Sequence, residues 1–451
     1  MKTIKAYSAK DLFERTVIPK AYFSLCLPLV VGNIISLIYN MADTYFISGT
    51  GNTDLVAGVS LCAPIITLLV AIGDIFGLGG SSLVSRLFGE KRDREAGKVS
   101  CFCFYTGLVT GLLTMVLLLV FSSGMLTTLG ASDENRIYAS QYYHWLVLGS
   151  PVIIFQLIPL NLLRTEGMAR EGMISTAFGS ILNIILDPIF IYGLKMGAAG
   201  AAIATVLGNA ATDLIMIWYV LFRSKKLSLR PQDVKIPTEL IRMVLAIGIP
   251  GCTTNIMSTF SNTMINRFLA PYGSDYLASM GICMKVYMIV IMIMVGFVFG
   301  AQPLIGYNYG AKNTERLKAI VRFDILVQLV FSLSALVIFS LTAPLIMNAF
   351  MHNETITAYG SLMLRCLLPA APFAGIVMVF TTIFQSEGKA LPAFLLSFCR
   401  QGVIFACCLF LMSHFLGYYG ILFATFCADF LTAILAVWLY LRSSRSIHAH
   451  Y

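Results

Sequence analysis

Asp43 is the only acid in an apolar run from about residue 21 to residue 47, and it closes the stretch Tyr39-Asn40-Met41-Ala42-Asp43. A run of that length crosses a bilayer, which takes roughly 20 residues. A carboxylate in hydrocarbon costs on the order of 3 kcal/mol or more, so an acid kept there marks a site of function by default. The bland alternative is a wetted helix end, because Gly49, Gly51 and Asn52 soon stop the helix. A second acid, Asp187, follows Asn183 by four residues in another apolar run, so the two share one helical face. Pro188 has no amide hydrogen and frees a carbonyl one turn back. Thr205 enters from the next run. Together these are carboxylates, an amide oxygen, a hydroxyl and a free carbonyl, an all-oxygen set suited to a hard cation such as Na+. Two nearby buried carboxylates can equally share a proton. Asn183 and Thr205 also fit a simpler role as hydrogen bonds between helices.

The elements that must position these groups are membrane spans. The chain has 451 residues, 58% hydrophobic and 12% charged, with a mean hydropathy of +0.83. That is far outside soluble usage. Twelve apolar spans are predicted, near 21–47, 55–84, 99–122, 138–163, 173–194, 198–222, 241–270, 278–306, 319–342, 357–384, 392–415 and 418–441. Pro28, Pro64, Pro151, Pro250, Pro303 and Pro372 mark expected kinks. Lys and Arg crowd the segment before span 1 (Lys2, Lys5, Lys10, Arg15, Lys20) and the even-numbered connections, and nearly vanish from the others. By the positive-inside rule both termini are cytoplasmic. Residues 1–20 carry no cleavable signal pattern, so span 1 is expected to serve as the insertion signal. The net charge of +9 lies in one set of loops and needs no nucleic acid to explain it. Eleven cysteines without a C-x-x-C pair, most in apolar runs, predict no disulfide framework.

The two halves repeat. Leu27-Pro28 with Asn33 and Asn40 finds Ile249-Pro250 with Asn255 and Asn262. Phe88-Gly89-Glu90-Lys91 finds Tyr309-Gly310-Ala311-Lys312, and Thr165-Glu166-Gly167 finds Ser386-Glu387-Gly388. Six spans are an even number, so both copies insert the same way up, as parallel repeats. The expected fold is an all-α membrane protein of twelve transmembrane helices, in two six-helix lobes around a central cavity. The expected divisions are a cytoplasmic segment 1–20, lobes 21–222 and 241–441, a linker 223–240 and a tail 442–451. Asp187 falls opposite Cys407 or Cys408, and Asp43 opposite Ile265 or Asn266. The acids occur in one copy only, which confines the chemistry to one lobe.

Twelve spans in two lobes, the Gly-Asx-rich first outer loop, and Phe76, Gly77 and Gly79 followed by the Gly89-Glu90-Lys91 loop resemble the multidrug and toxic compound extrusion (MATE) family. Asn40-Met41-Ala42-Asp43 in span 1 and Asn183-Ile184-Ile185-Leu186-Asp187-Pro188 in span 5 are similar to its DinF-like branch, near the MepA-type multidrug exporters. The resemblance covers essentially the whole chain. It implies export of organic, mostly cationic drugs against an inward flow of H+ or Na+, without other cofactor, by a monomer in the plasma (inner) membrane of a prokaryote. It also implies that Asp43, Asn183, Asp187 and Thr205 form the cation site, which would hold Na+ if that is the coupling ion. The NorM-like branch couples through acids on spans 7 and 10. Here span 7 has none between Thr254 and Leu269, and span 10 offers only Glu387 at its end, which points to coupling in the N-terminal lobe.

Met280, Met284, Met288 and Met292 form an i, i+4 stripe on span 8, and Met257 lies on span 7. Flexible thioethers suit a promiscuous surface, so Met257, Met284 and Met288 are assigned to the drug cavity, with Tyr39 and Asn40 as contacts on span 1. Ordinary packing is the plainer use of each methionine. Pro28 is the expected hinge. For Asp74, Lys285, Arg400 and Asp429 internal pairing or snorkelling is the simpler reading. Glu166 and Glu387, at equivalent span ends, are expected to share a structural role. Two other functions fit the sequence less well. A flippase for lipid-linked sugars or peptidoglycan precursor would want a cavity rich in Arg, and spans 1 to 8 carry few. A membrane-embedded enzyme would want a metal or nucleophile motif, and no H-E-x-x-H, G-x-S-x-G or Walker sequence occurs, nor do the five histidines, His448 and His450 among them, form a ligand set.

Overall fold

The structure is a computed structural model that describes residues 9–448, with side-chain detail for 11–443. Lys2 and Lys5 of the basic N-terminal segment, and His450 of the tail, lie outside the described residues. Regular structure among the described residues is helical throughout. Eleven helical segments are long and apolar enough to cross a membrane: Ile18–Ser48, Thr53–Gly89, Asp93–Val120, Ala169–Gly193, Gly197–Phe222, Thr238–Tyr272, Ser274–Gly310, Thr314–Leu341, Glu354–Glu387, Ala390–Leu416 and Tyr418–Ser443. A twelfth is the bent pair Arg136–Leu148 and Ser150–Thr165, which turn through 49°. In chain order these are spans 1 to 12, the bent pair being span 4.

The prolines act in two ways. Pro28, Pro159, Pro188, Pro250 and Pro303 lie inside continuous helices. Pro64 and Pro151 instead open new helical segments after a break, because a first-turn proline loses no helical hydrogen bond. Pro372 likewise stands in the first turn of Ala370–Glu387. Two irregularities were not expected: wide helical turns with i to i+5 bonding at Ile189–Gly193, directly after Pro188, and at Cys399–Val403 in span 11.

The sequence repeat is also a repeat of backbone geometry. Lys91 and Lys312 both take a left-handed conformation, at φ 63° and 56°, and so do Gly167 and Gly388, at 82° and 78°. Each pair ends one of the matched motifs. Left-handed backbone is costly for a residue with a Cβ, so the two lysines repeat the same strained turn after spans 2 and 8.

Three apolar clusters give the architecture. One joins residues of both halves near the termini, among them Phe13, Leu87, Phe104 and Leu163 with Leu304, Ile320 and Phe384. On the opposite side the core divides in two. Ile47, Leu69, Tyr143 and Ala202 belong to a cluster built from the first six spans, and Ile265, Met294, Leu364 and Leu422 to one built from the last six. Two six-helix lobes are therefore fused on the face that bears the termini and part on the other, leaving a cleft between them.

The fused face is a seam of spans 1, 2 and 4 against spans 7 to 10. Tyr22 Oη donates to Asp324 (2.6 Å), Cys26 Sγ to the Phe297 carbonyl (3.2 Å) and Asn33 Nδ2 to the Met292 carbonyl (3.0 Å). Ser82 Oγ donates to the Gln385 carbonyl (2.5 Å) and Asn255 Nδ2 to Asp74 (3.0 Å). Glycine allows the approach: a Cβ on Gly300 would stand 2.5 Å from the Cα of Cys26. The segment between spans 6 and 7 is strapped along the same face. The Glu166 carboxylate accepts from Ser224 Oγ (3.0 Å) and from the amides of Lys225, Lys226 and Leu227 (3.3, 2.7 and 3.0 Å). Glu387 pairs with Lys389 at 2.6 Å.

Candidate functional site

Span 1 leaves span 8 beyond Asn33 and runs against span 5 inside its own lobe. Tyr192, in the wide turn that follows Pro188, fastens this contact by donating from Oη to the Phe46 carbonyl (2.5 Å). Pro188 has no amide to give the Ile184 carbonyl, and directly after it the helix widens, with the Leu194 amide reaching the Ile189 carbonyl (2.8 Å). The result is a helix held open one turn away from Asp187.

Asp187 is completely buried, at 0% exposure, and both carboxylate oxygens lack a hydrogen-bond partner among the described residues. The same holds for Oδ1 of Asp43 and Oδ1 of Asn183. Asp43 and Tyr39 belong to span 1 and Asp187 to span 5, helices that pack together in this lobe. Asn183 Nδ2 points to Thr205 Oγ1 at 3.4 Å, from span 5 to span 6. Four buried acceptor oxygens in one lobe thus face no donor. Buried acceptors of this kind are costly unless something is bound there. Acceptor oxygens of this kind can take a proton, a small hard cation or an ordered water.

A cavity of about 70 Å³ adjoins the acids, lined by Ser36, Tyr39, Gln156, Ser180, Asn183, Thr205 and Asn209 among others. It is polar and large enough for one or two waters. Asn183, Thr205 and Tyr39 reach it, whereas Asp43 and Asp187 do not line it. Asn40 is exposed, and its Nδ2 donates to the Ser36 carbonyl (2.7 Å) of its own helix. Pro28 lies inside span 1 on the seam side of the lobe.

The methionines separate. Met280 is buried in the C-terminal core, Met284 packs against it and Met288 is half exposed. The Sδ of Met257 approaches Gly402 on span 11. A cavity of about 230 Å³ between spans 2, 7, 8, 10 and 11 is lined by Asp74, Asn255, Met378, Gln385, Arg400 and Gln401 among others, and Met257, Met284 and Met288 are not among its walls. Of the other charges inside spans, Arg400 Nε pairs with Asp429 at 2.8 Å, buried within the C-terminal lobe. Asp74 bonds across the seam to Asn255, and Lys285 is exposed with no partner among the described residues.

Three buried charges escaped the sequence reading. Asp213 in span 6 is buried with Oδ1 unpartnered, Asp324 in span 9 receives the Tyr22 hydroxyl, and Arg164 in span 4 is 4% exposed. Asp213 and Asp324 stand in apolar runs, so the argument that singled out Asp43 would have found them; Arg164 lies just past the predicted end of span 4. Arg164 has a particular job. Its Nη1 donates to the Phe299 carbonyl at 3.0 Å, in the other lobe, and its Nη2 to Asn161. Phe299 stands four residues before Pro303, which cannot supply the helical donor for that carbonyl. An arginine of one lobe therefore supplies the hydrogen bond that a proline of the other removes.

The MatE family model matches the chain twice, over residues 28–189 and 250–411. The chain belongs to the MatE family. Among curated relatives it is 30% identical over 426 residues to the multidrug export protein MepA of Staphylococcus aureus (strain MW2), and 29% identical over 425 residues to that of Staphylococcus saprophyticus, with 94% of each chain covered in both comparisons. Among solved structures it is similar to the outward-facing form of a multidrug resistance MATE family transporter of the MOP superfamily, with a TM-score of 0.92, 25% identity, and 98% and 99% of the two chains covered. A MATE structure in complex with MaD3S aligns at a TM-score of 0.91 and 26% identity over 98% and 99% of the chains. The two family matches begin at Pro28 and at Pro250, the paired prolines of the sequence repeat.

Proposed function

We propose that this chain is a secondary antiporter that exports organic, mostly cationic or lipophilic compounds in exchange for H+ or Na+. The observation that carries this reading is the set of unpartnered buried oxygens of Asp43, Asn183 and Asp187 inside the N-terminal lobe. The curated relatives are named multidrug export proteins, and family membership makes drug efflux the activity to expect. The two lobes, 21–222 and 241–441, move about the linker 223–240, in the inner membrane of a prokaryote with both termini cytoplasmic. In that orientation the seam is the inner gate and the cleft opens outward.

Two carboxylates in a low-dielectric lobe repel when both are ionised. An incoming H+ or Na+ removes that repulsion and provides the donor or cation that the oxygens lack. Neutralisation lets span 1 repack on span 5, with Pro28 as the point of bending, and favours drug release. Once the cation leaves on the inner side, the ionised acids favour capture of a cationic drug. Arg164 and Arg400 are engaged with the Phe299 carbonyl and with Asp429, which weighs against a flippase that needs free arginines for a pyrophosphate.

The test is ethidium efflux from liposomes containing the parent protein or Asp43→Asn, under a pH gradient and a Na+ gradient applied separately. One gradient should drive efflux in the parent, and Asp43→Asn should abolish it. Efflux that survives the substitution unchanged removes Asp43 from the mechanism. Failure of well-folded parent protein to move ethidium under either gradient overturns the antiporter reading.

A further inference from the structure

Lys285 is a cation inside a membrane span, and no hydrogen bond or ion pair engages it among the described residues. It stands 11 residues into Ser274–Gly310, since 285 − 274 = 11, and about seven past the start of the apolar run near residue 278. An ammonium in lipid costs on the order of 3 kcal/mol, so its position calls for water or a partner.

Helical phase gives the direction in which it points. Cys283, Val286, Val290 and Met294 of span 8 are buried in the C-terminal core. The opposite face carries Met292, whose carbonyl receives Asn33 from span 1, and Gly296, which packs on Val30 of span 1. Lys285 precedes Met292 by seven residues and Gly296 by eleven, close to two and three turns, and therefore shares that face. It projects toward the other lobe, above the seam, where the lobes have parted. Gly281, one turn further on, has nothing within 4 Å of an added Cβ, as expected for a helix bordering open space.

The same step of seven residues along span 1, from Asn33, leads to Asn40, and Asp43 follows within one turn. An ammonium on one wall of the cleft is thus set at about the depth of Asn40 and Asp43 on the other. We propose that Lys285 is an anion-binding point of the translocation cleft, so that this exporter accepts zwitterionic amphiphiles, with the carboxylate held by Lys285 and the positive charge turned toward Asp43. This deepens the antiporter reading and rests on it for transport. A purely cationic compound gains nothing from Lys285 and is repelled by it, which makes the lysine a determinant of specificity rather than of coupling.

The test uses one chromophore in two charge states: rhodamine B, with a free carboxylate, and its ethyl ester, a cation. Binding to purified full-length protein is followed by fluorescence anisotropy for the parent, Lys285→Met and Lys285→Arg. A charge-assisted hydrogen bond at a partly hydrated site corresponds to about a tenfold change in affinity. Lys285→Met should weaken rhodamine B about tenfold and leave the ester equal or tighter, and Lys285→Arg should restore the acid form. An unchanged acid-to-ester ratio in Lys285→Met, or equal loss of both dyes, overturns the proposal, as does a parent that binds neither. Gradient-driven efflux of the two dyes is measured alongside. If the binding discrimination holds while no gradient moves either dye or ethidium, the antiporter reading fails and the Lys285 site stands.

Discussion

Gly296→Ala should open the seam. A Cβ at this position would lie 2.6 Å from Cγ2 and 2.9 Å from Cα of Val30, and ordinary contact begins at 3.4 Å. The side chain can turn aside, but the Cα cannot. Spans 1 and 8 must therefore part by roughly half an ångström, since 3.4 − 2.9 = 0.5. Overpacking of this kind costs about 1–3 kcal/mol. The cost falls on the fused state and is relieved when the seam parts, so the balance shifts by about 5- to 150-fold toward the open seam. The protein carries its own reporter. Cys26 lies one turn nearer the termini on span 1, is 0% exposed, and donates to the Phe297 carbonyl across the seam. Such a thiol reacts only when the lobes separate. N-ethylmaleimide labelling, followed by peptide mass spectrometry to distinguish Cys26 from the other cysteines, should run at least fivefold faster in Gly296→Ala. Gly281→Ala on the same helix is the control, because its Cβ meets nothing within 4 Å and it gains the same helix propensity. If Cys26 in folded Gly296→Ala labels at the parent rate, close packing of spans 1 and 8 does not hold the gate, and the reasoning fails.

Two further expectations concern stability. Removing one member of the buried Arg400–Asp429 pair should cost about 3–5 kcal/mol, and replacing both with apolar residues should recover most of it. Melting temperatures in detergent for Arg400→Met, Asp429→Leu and the double variant test this, and a double variant no better than either single one refutes it. Glu166→Ala removes the acceptor for four donors of the segment that follows span 6, each charge-assisted bond contributing about 1.5–3 kcal/mol. Limited trypsin cleavage after Lys225 and Lys226 should be at least tenfold faster, and an unchanged rate would show that Glu166 does not hold this segment.

The sequence alone determined the count of spans and the repeat of the two halves, and it singled out two acids as candidates, for one physical reason: in hydrocarbon every exception is expensive. A run of apolar residues must be a span, and an acid inside it must be accounted for. Asp43 and Asp187 stand out on that cost, without knowledge of their neighbours. The match of the motifs that end in Lys91 and Lys312 was legible too, and the structure adds that both lysines take a left-handed turn. Contacts between residues hundreds of positions apart were not legible. Nothing in the string pairs Arg164 with the carbonyl that Pro303 leaves free, Tyr22 with Asp324, or Arg400 with Asp429. Those partners are chosen by the way the lobes pack. The methionine stripe shows the same limit. Spacing by four drifts around a helix with 3.6 residues per turn, so Met280 ends in the core while Met288 is half exposed. Sequence likewise has no register for the meeting of two lobes. Only the tertiary structure placed Asn33 on Met292, the contact from which the helical phase of Lys285 is read.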